Sequence, residues 1–216
     1  MPAPSSAQIQ ALANSALQQA DLRGENSADL AKALGQGLQQ ALLLFQSSAQ
    51  ILPGVAAALD PVSGAGSVVG PGILLPPPAG GPTAGQLQGI MMGALSSAGL
   101  MGEHIDRLAG AIAAAFAQAV QLFTSTVKSG PGIPVAAFIT VAPGRLLPPS
   151  PSATMIEPIT LGILQQEQIL GERAPDLAAA LAQTFAGALD AFAQQIMVLP
   201  GIACTPAATV TPGRLG

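Results

Sequence analysis

The sequence predicts a mainly α-helical protein with short β segments, arranged as three tandem αα-hairpin units that each end in an extended arm. Three observations predict this fold class. One segment of 47 residues occurs three times, each copy contains an apolar stripe with helical spacing, and a Pro-Gly pair follows each stripe.

The three copies are residues 9–55, 87–133 and 156–202, which align without a gap. Ten alignment columns are identical in all three copies, a register that chance and low complexity do not maintain. The identical columns are Leu17/Leu95/Leu164, Gly24/Gly102/Gly171, Glu25/Glu103/Glu172, Leu30/Leu108/Leu177, Ala31/Ala109/Ala178, Ala33/Ala111/Ala180, Ala41/Ala119/Ala188, Phe45/Phe123/Phe192, Pro53/Pro131/Pro200 and Gly54/Gly132/Gly201.

Pro-rich segments separate the copies and divide the chain. Residues 74–85 and 146–154 have the composition of extended polyproline II spacers. We therefore assign repeat 1 to residues 1–80, repeat 2 to residues 81–150 and repeat 3 to residues 151–216.

A short helix is expected at the start of each unit. In the first copy it contains Ile9, Leu12 and Leu17. We expect it to end at Gly24, because glycine readily adopts the left-handed C′ conformation that terminates helices.

A longer helix follows in each unit. Leu30, Leu34, Leu38, Leu42 and Phe45 succeed one another by four, four, four and three residues, and the other two copies keep this spacing. Such steps place the side chains on one stripe of an α-helix. The pattern predicts an amphipathic helix of about 24 residues, roughly 36 Å long.

An extended arm is expected after each long helix, between two Pro-Gly pairs. The first pair, which begins at Pro53, Pro131 or Pro200, is expected to stop the helix. The arms have β character, but Pro206 restricts the third to an edge strand or an irregular arm.

The closing phrases of the arms resemble one another. They are VGPGILLPP (69–77), VAPGRLLPP (141–149) and VTPGRLG (210–216). The first arm is six residues longer than the others, and we place the insertion at residues 63–67.

Three like units can stack into a short solenoid or close around a pseudo-threefold axis. A solenoid usually has polar terminal caps, and these are not evident in the sequence, so closure is favoured. The identical alanine columns are expected where helix backbones approach closely.

The composition predicts a surface that is normally covered. Charged residues make up 8% of the chain, against roughly 25% in typical soluble domains. Seven basic residues, with no Trp or Tyr, cannot build the basic and aromatic surface that binds nucleic acid. The single cysteine, Cys204, excludes an internal disulfide and is expected to be a small buried hydrophobe.

The Gly-Glu turn between the two helices is the best candidate for a role shared by all units. Glu25, Glu103 and Glu172 would form a carboxylate ring if the units meet at an axis, and such a ring could bind Ca²⁺. The favoured interpretation is simpler: each carboxylate lies near the N-terminus of a long helix and stabilises its dipole. No residue is therefore assigned to metal binding.

Catalysis and cofactor binding are not indicated by any motif in the sequence. His104 is the only histidine, and its aligned counterparts are Asn26 and Arg173, so a solvated turn residue is expected. No glycine-rich loop follows a strand and precedes a helix in the way that phosphate binding requires. We expect no enzyme activity, no cofactor and no small-molecule substrate.

Four residues of the closing phrases are candidates for contact with a partner. Arg145 and Arg214 occupy one column of the phrase, and each either binds a neighbour's carboxylate or is solvated. Leu146 and Leu147 are expected to pack on a neighbouring chain.

Membrane insertion is not the favoured interpretation. Residues 108–127 match a bilayer in length, but they are rich in alanine and contain Gln118 and Gln121. The N-terminal residues 1–19 lack a basic region and a continuous apolar core, so they do not resemble a secretory signal peptide.

The expected function is a structural one, as a component of a large particle. A decoration, cement or minor tail protein of a phage or phage-like virion is the favoured setting, with itself or other structural proteins as partners. Two alternatives remain open: a membrane-associated or secreted protein with amphipathic helices, and a ligand-binding module with a pocket between repeats.

Overall fold

The computed structural model describes residues 3–77, 79 and 81–216. In this part of the chain, three successive pairs of helices are each followed by short antiparallel strands, so the prediction of a mainly α fold with short β segments is confirmed. The helices are α1 Ser6–Gln19, α2 Ser27–Ser48, α3 Ala84–Ser97, α4 Ile105–Thr126, α5 Ala153–Gln166 and α6 Ala174–Gln195.

The helices form three pairs of equal dimensions. Each first helix has 14 residues and each second helix has 22, and their ends fall at aligned positions of the sequence. Two of the short helices begin with a capping box that the sequence shows as S-x-x-Q and T-x-x-Q. The Ser5 and Thr83 hydroxyls accept hydrogen bonds from the backbone N–H of Gln8 and Gln86 at 3.3 and 3.4 Å.

The expected end of the first short helix at Gly24 is wrong. Helix α1 ends at Gln19, and the left-handed residue is Asp21, with φ of 53°. The backbone N–H of Leu22 donates to the Leu17 carbonyl at 2.8 Å, and that of Asp21 donates to the Gln18 carbonyl at 3.1 Å. These two bonds make a Schellman motif, which satisfies the last carbonyls several residues before the glycine.

The other two short helices also end before their aligned glycines, Gly102 and Gly171. Helices α3 and α5 end earlier, and their left-handed residues are Gly99, with φ of 85°, and Gln168, with φ of 59°. Gly102 and Gly171 are exposed in the turn that follows, and no described atom lies within 4 Å of the position that a Cβ would occupy. The two glycines therefore belong to the helix-to-helix turns and cap neither short helix.

The expectation that the Pro-Gly pairs stop the long helices is also wrong. Helices α2, α4 and α6 have 22 residues, slightly fewer than predicted, and end before Pro53, Pro131 and Pro200 are reached. A strand of two residues lies between each helix and its proline. All three prolines are exposed, in the bend that comes after this strand.

The long helices end where the chain enters a sheet. Their C-cap residues, Ala49, Val127 and Ile196, have extended backbones and are buried. The residues that follow pair with strands from other parts of the chain. Tertiary pairing thus ends each helix before the local effect of proline can do so.

The six helices close into a ring. Each short helix packs on the long helix of its own pair and also on that of the neighbouring pair: α3 packs on α2, α5 on α4 and α1 on α6. The last contact joins the two ends of the chain. An open solenoid, the alternative to closure, has no such contact between its first and last units.

Three phenylalanines meet at the centre of the ring. Phe45, Phe123 and Phe192 are fully buried, and their ring centroids lie 5.5 to 6.0 Å apart in all three pairings. Phe116 and Phe185 form a further pair at 5.4 Å. Such separations and tilted rings are the favourable arrangement for aromatic pairs. The space between the long helices is therefore filled by side chains.

Ten short strands follow the long helices in the part of the chain that the structure describes. Six of them form a closed antiparallel ring next to the helices, which we call the inner strand ring. In this ring β5 pairs with β4 and β8, β8 pairs with β9, and β1 pairs with β10, while the bridges Ile51–Leu74 and Val198–Leu215 close the circle. The strands are β1 Gln50–Ile51, β2 Ala57–Leu59, β3 Gly66–Val68, β4 Gly72–Ile73, β5 Lys128–Ser129, β6 Ile133–Ala136, β7 Ile139–Thr140, β8 Gly144–Leu147, β9 Met197–Val198 and β10 Gly213–Arg214.

Three hairpins form a second ring farther along the chain from the helices. The sheet β2-β3-β6-β7 continues through the bridges Ile139–Ala203, Cys204–Thr209 and Ala208–Ala56 back to its first strand. We call this the hairpin ring. The third hairpin has only isolated bridges, in agreement with the disruptive effect expected of Pro206.

Helix α4 is long and apolar enough to cross a membrane by length and composition, but 56% of its most apolar window is buried inside the protein. Its apolar face contributes Ile112, Phe116 and Phe123 to the core of the helix ring. Burial in that core accounts for the apolar character that the sequence shows over residues 108–127.

Candidate functional site

An open concavity lies where the three helix-to-helix turns meet, at the end of the helix ring opposite the strands. We call this end, residues 20–26, 98–104 and 167–173, the turn end, and we call the concavity the axial cup. Its volume is about 890 Å³. Its lining includes two sets of aligned aliphatic residues, Leu30/Leu108/Leu177 and Leu22/Leu100/Ile169.

The aliphatic lining follows from the local structure of the turns. Leu22, Leu100 and Ile169 each follow the left-handed residue of a Schellman motif, where a hydrophobic residue packs back on its helix. Leu30, Leu108 and Leu177 lie in the first turn of the long helices and are partly buried. The side of these leucines that lines the axial cup remains open to solvent, because no other segment of the described chain covers it.

The N-termini of all three long helices face the rim of the axial cup. Their N-cap residues are Asn26, His104 and Arg173, and none of the three side chains accepts the usual capping hydrogen bond from the described residues. The positive ends of three helix dipoles therefore converge at this rim. Asp29, Asp106 and Asp176 provide the acidic residues of the first turns.

Arg173 ties the last unit to the first. Its guanidinium donates hydrogen bonds to the carbonyl oxygens of Ala20 and Asp21 at 3.0 and 2.7 Å and pairs with Asp176 at 3.0 Å. The first two bonds satisfy carbonyls at the C-terminal end of α1, where a cation is favoured by the helix dipole. The side chain is half exposed, so the contact orients the turn more than it stabilises the fold.

The three Gly-Glu pairs are all exposed at the turn end. Glu25 and Glu172 line the axial cup, whereas Gly102 and Glu103 line a neighbouring depression of about 490 Å³. Within residues 3–77, 79 and 81–216, no group of three or more His, Cys, Asp or Glu side chains is placed to hold a metal ion. The calcium ring considered from the sequence thus has no support in this geometry.

His104 is exposed at the rim of the axial cup, at the turn position expected for it. Cys204 is buried, as the sequence predicted, and burial raises the pKa of its thiol. A raised pKa leaves less of the nucleophilic thiolate at neutral pH. Burial thus makes the Cys204 thiol a weak nucleophile.

The four candidate contact residues of the closing phrases differ in exposure. Arg145 and Arg214 are exposed on the inner strand ring, and in the described part of the chain neither is in ion-pair contact with a carboxylate. Leu147 is 41% exposed, whereas Leu146 is 6% exposed and packs inside its own chain. Leu146 thus offers little surface to a partner.

Sequence reasoning missed two exposed aliphatic side chains at the turn end. Met101 is 85% exposed and Leu170 is 67% exposed, and they occupy aligned positions where the first unit has Arg23. The alignment contained a signal for this. Two of the three copies have an apolar residue at a turn position that does not belong to the helical stripe, and the burial of that stripe therefore does not explain it.

No protein-family model, no curated protein and no solved structure matches this chain. Its function is therefore inferred from its own residues and geometry. The described surface has two apolar features: an open aliphatic cup at the turn end, and exposed aliphatic residues around the strands.

Proposed function

We propose that this chain is a non-enzymatic structural component of a large assembly, built from three copies of one αα-hairpin unit around a pseudo-threefold axis. Equal helix lengths at aligned positions, the closed helix ring and the central triangle of phenylalanines support the threefold part of the proposal. A covalently linked pseudo-trimer can dock on a symmetric lattice with one chain where other proteins need three.

The observation that carries the assembly role is the distribution of exposed large hydrophobic side chains. Among the described residues, only three of these side chains lie within helices: Leu12, Leu43 and Met155. The others lie at the two ends of the helix ring, and they are Met101 and Leu170 at the turn end and Leu52, Val62, Val69, Ile73, Ile139, Val141, Leu147, Leu199 and Val210 among the strands.

Exposed aliphatic residues concentrated in this way are characteristic of surfaces that other proteins cover. The low content of charged residues points in the same direction, since it gives a free particle little colloidal protection. A phage or phage-like virion, with this chain as a decoration, cement or minor tail protein, is the setting we propose for the assembly.

The two alternative functions have less support. The filled interior leaves no pocket between the long helices in the described structure. A ligand-binding module would have to use the axial cup or the depression of about 680 Å³ between α2 and α3, whose lining includes Gln36, Gln40 and Gln86, and both are wide open to solvent. An amphipathic membrane protein would need its apolar helix faces free, whereas these faces are buried against one another. Flotation with neutral liposomes tests that alternative, and robust binding would support it.

The native mass of the complex that contains this chain tests the proposed function. In an extract from its source, we expect the chain to elute by gel filtration at many times 21.3 kDa, together with structural proteins in fixed proportion. Elution of the whole population at the mass of one chain would contradict an assembly role.

A further inference from the structure

The charges of this protein are divided unequally between its helical and strand portions. Residues 3–48, 84–126 and 153–195, which are the helices and their turns, contain ten acidic and four basic residues, a net charge of −6. Residues 49–77, 127–152 and 196–216, which we call the β end, contain one acidic and three basic residues, a net charge of +2. The basic residues are Lys128, Arg145 and Arg214, all on the inner strand ring.

The negative charge is concentrated at the turn end. Eight of the eleven acidic residues lie in the three turns or in the first helical turn after them, and they are Asp21, Glu25, Asp29, Glu103, Asp106, Glu167, Glu172 and Asp176. Arg23, Arg107 and Arg173 lie in the same region, so eight acidic and three basic residues give the turn end a net charge of −5. The cup itself is lined by two of these acidic residues and two of these arginines. The turn end therefore combines an aliphatic cup with a net negative surround, while the β end combines exposed aliphatic residues with a net positive charge.

The turn end and the β end have net charges of opposite sign, and both expose aliphatic side chains. A face-to-face dimer through two turn ends would bring two net negative surfaces together, which opposes association. The flank of the helix ring has few exposed large hydrophobic side chains to drive a lateral contact. A face-to-face dimer through two β ends would bring two net positive surfaces together and leave both axial cups uncovered. The arrangement that pairs ends of opposite net charge joins the turn end of one copy to the β end of another.

We propose that copies of this chain stack head to tail along the pseudo-threefold axis, with the β end of one copy seated on the turn end of the next. The proposal rests on the assembly role argued above and names the partner of the axial cup as a second copy. Because each copy keeps a free turn end and a free β end after binding, the contact is heterologous and the stack is open-ended.

The loops of the hairpin ring have apolar tips, which can pack against an aliphatic cup. Their tips are Pro61-Val62, Ala137-Phe138 and Pro206-Ala207, and Val62 is 91% exposed. Asp60 is the single acidic residue of the β end. The basic residues lie farther back on the inner strand ring, so they attract the acidic turn end over a distance and set the orientation of approach.

Sedimentation equilibrium of the purified chain tests open-ended growth. We expect the mass-average molecular mass to rise with concentration past twice 21.3 kDa without a plateau, and to fall in high salt because screening weakens the attraction between the ends. A plateau at two chains would overturn the proposal, since it indicates an isologous dimer.

Two end-blocked variants make the test specific. The first carries Met101→Asp and Leu170→Asp at the turn end, and the second carries Val62→Asp and Arg145→Glu at the β end. Each alone is expected to reduce the association constant by roughly tenfold or more. Leu43→Asp with Met155→Asp on the flank is the matched control and is expected to stack like the natural chain.

Mixing the two blocked variants distinguishes head-to-tail stacking from other contacts. The free β end of the first variant should bind the free turn end of the second, and growth should stop at a 1:1 dimer because the outer ends are blocked. If both variants fold, as judged by circular dichroism, and the mixture stays monomeric, the stacking proposal is wrong. A large native complex would in that case leave the assembly role intact, so the two proposals fail separately.

Discussion

At the scale of single residues, the two Pro-Gly pairs of each unit use glycine for different reasons. The first glycine, Gly54 in unit one, has φ of +93° with no described atom within 4 Å of the position of a Cβ, so its backbone conformation is the requirement. The second, Gly72, would place a Cβ against the Ser129 hydroxyl and 2.6 Å from the Ile51 side chain, so close packing is the requirement. The second Pro-Gly pair thus lies where a strand passes close to neighbouring residues.

Asp60 organises the turn of the first hairpin and provides a residue-scale prediction. Its carboxylate accepts hydrogen bonds from the backbone N–H of Ser63 and Val62 at 2.7 and 2.9 Å and from the Ser63 hydroxyl, and these bonds lower the pKa of Asp60. A lowered pKa in the folded protein means that the stabilisation is present above the ordinary carboxyl pKa and is lost as pH falls through the lowered value.

We expect the carbon-13 signal of the Asp60 carboxyl to titrate below the pH at which an aspartate in an unstructured peptide titrates. In Asp60→Asn the amide oxygen can accept the same bonds, so the backbone signals of Val62 and Ser63 should become independent of pH while the turn persists. Asp60→Ala should lose the turn at all pH values. Titration at or above the ordinary carboxyl value would contradict the hydrogen-bonded turn.

At the scale of elements, each long helix is held by the stripe that the sequence shows and each short helix by its two long neighbours. Most stripe residues of α2, α4 and α6 are buried, those of the first helical turn are partly buried, and helix boundaries recur at aligned positions. Local sequence accounts for the existence of these helices, because helical spacing and capping boxes act within a few residues.

The ends of the helices were predicted less well than their existence. The Schellman ends were not recognised from the sequence, since Asp21 and Gln168 take the left-handed position without being glycine. The long helices end before their prolines because the next residues pair with strands that are distant in sequence, such as β10 for Gln50 and Ile51. Pairing of that kind leaves no signal in the local pattern.

Phe116→Ala is expected to reduce the free energy of unfolding by about 3 to 5 kcal/mol, because Phe116 is fully buried against Phe185 and truncation leaves a cavity. Chemical denaturation gives the value. Phe138→Ala is the matched control, because this phenylalanine lies in a hairpin and is only partly buried, and we expect a smaller loss. A loss below about 1 kcal/mol for Phe116→Ala would show that the core is not where the stripe places it.

At the scale of the whole molecule, closure depends on contacts between the first and last thirds of the chain. Helix α1 packs on α6, β1 pairs with β10, and Arg173 binds the end of α1. Because these contacts correspond to those between the other units, the junction between the last and the first unit is expected to be as stable as the covalently linked junctions.

A circular permutant tests that equivalence. We expect a chain that begins at residue 81, with residue 216 joined to residue 1 through a linker like residues 74–85, to fold with a melting temperature close to that of the natural chain. A permutant opened at residue 117, inside α4, is the control and should be strongly destabilised. Failure of the first permutant alone would contradict the equivalence of the three junctions.

The amino-acid sequence by itself determined the order of elements in this protein: two helices and an arm in each third of the chain, set by helical spacing and by the proline and glycine of the arms. Only the tertiary structure decided where the long helices end, that the helices close into a ring, and that an aliphatic cup stays open at the turn end. The two kinds of feature differ because the interactions that produce them join residues at different separations along the sequence. Helix formation depends on neighbours within one turn, whereas ring closure and the exposure of Met101 and Leu170 depend on residues that are distant in sequence and meet only after folding.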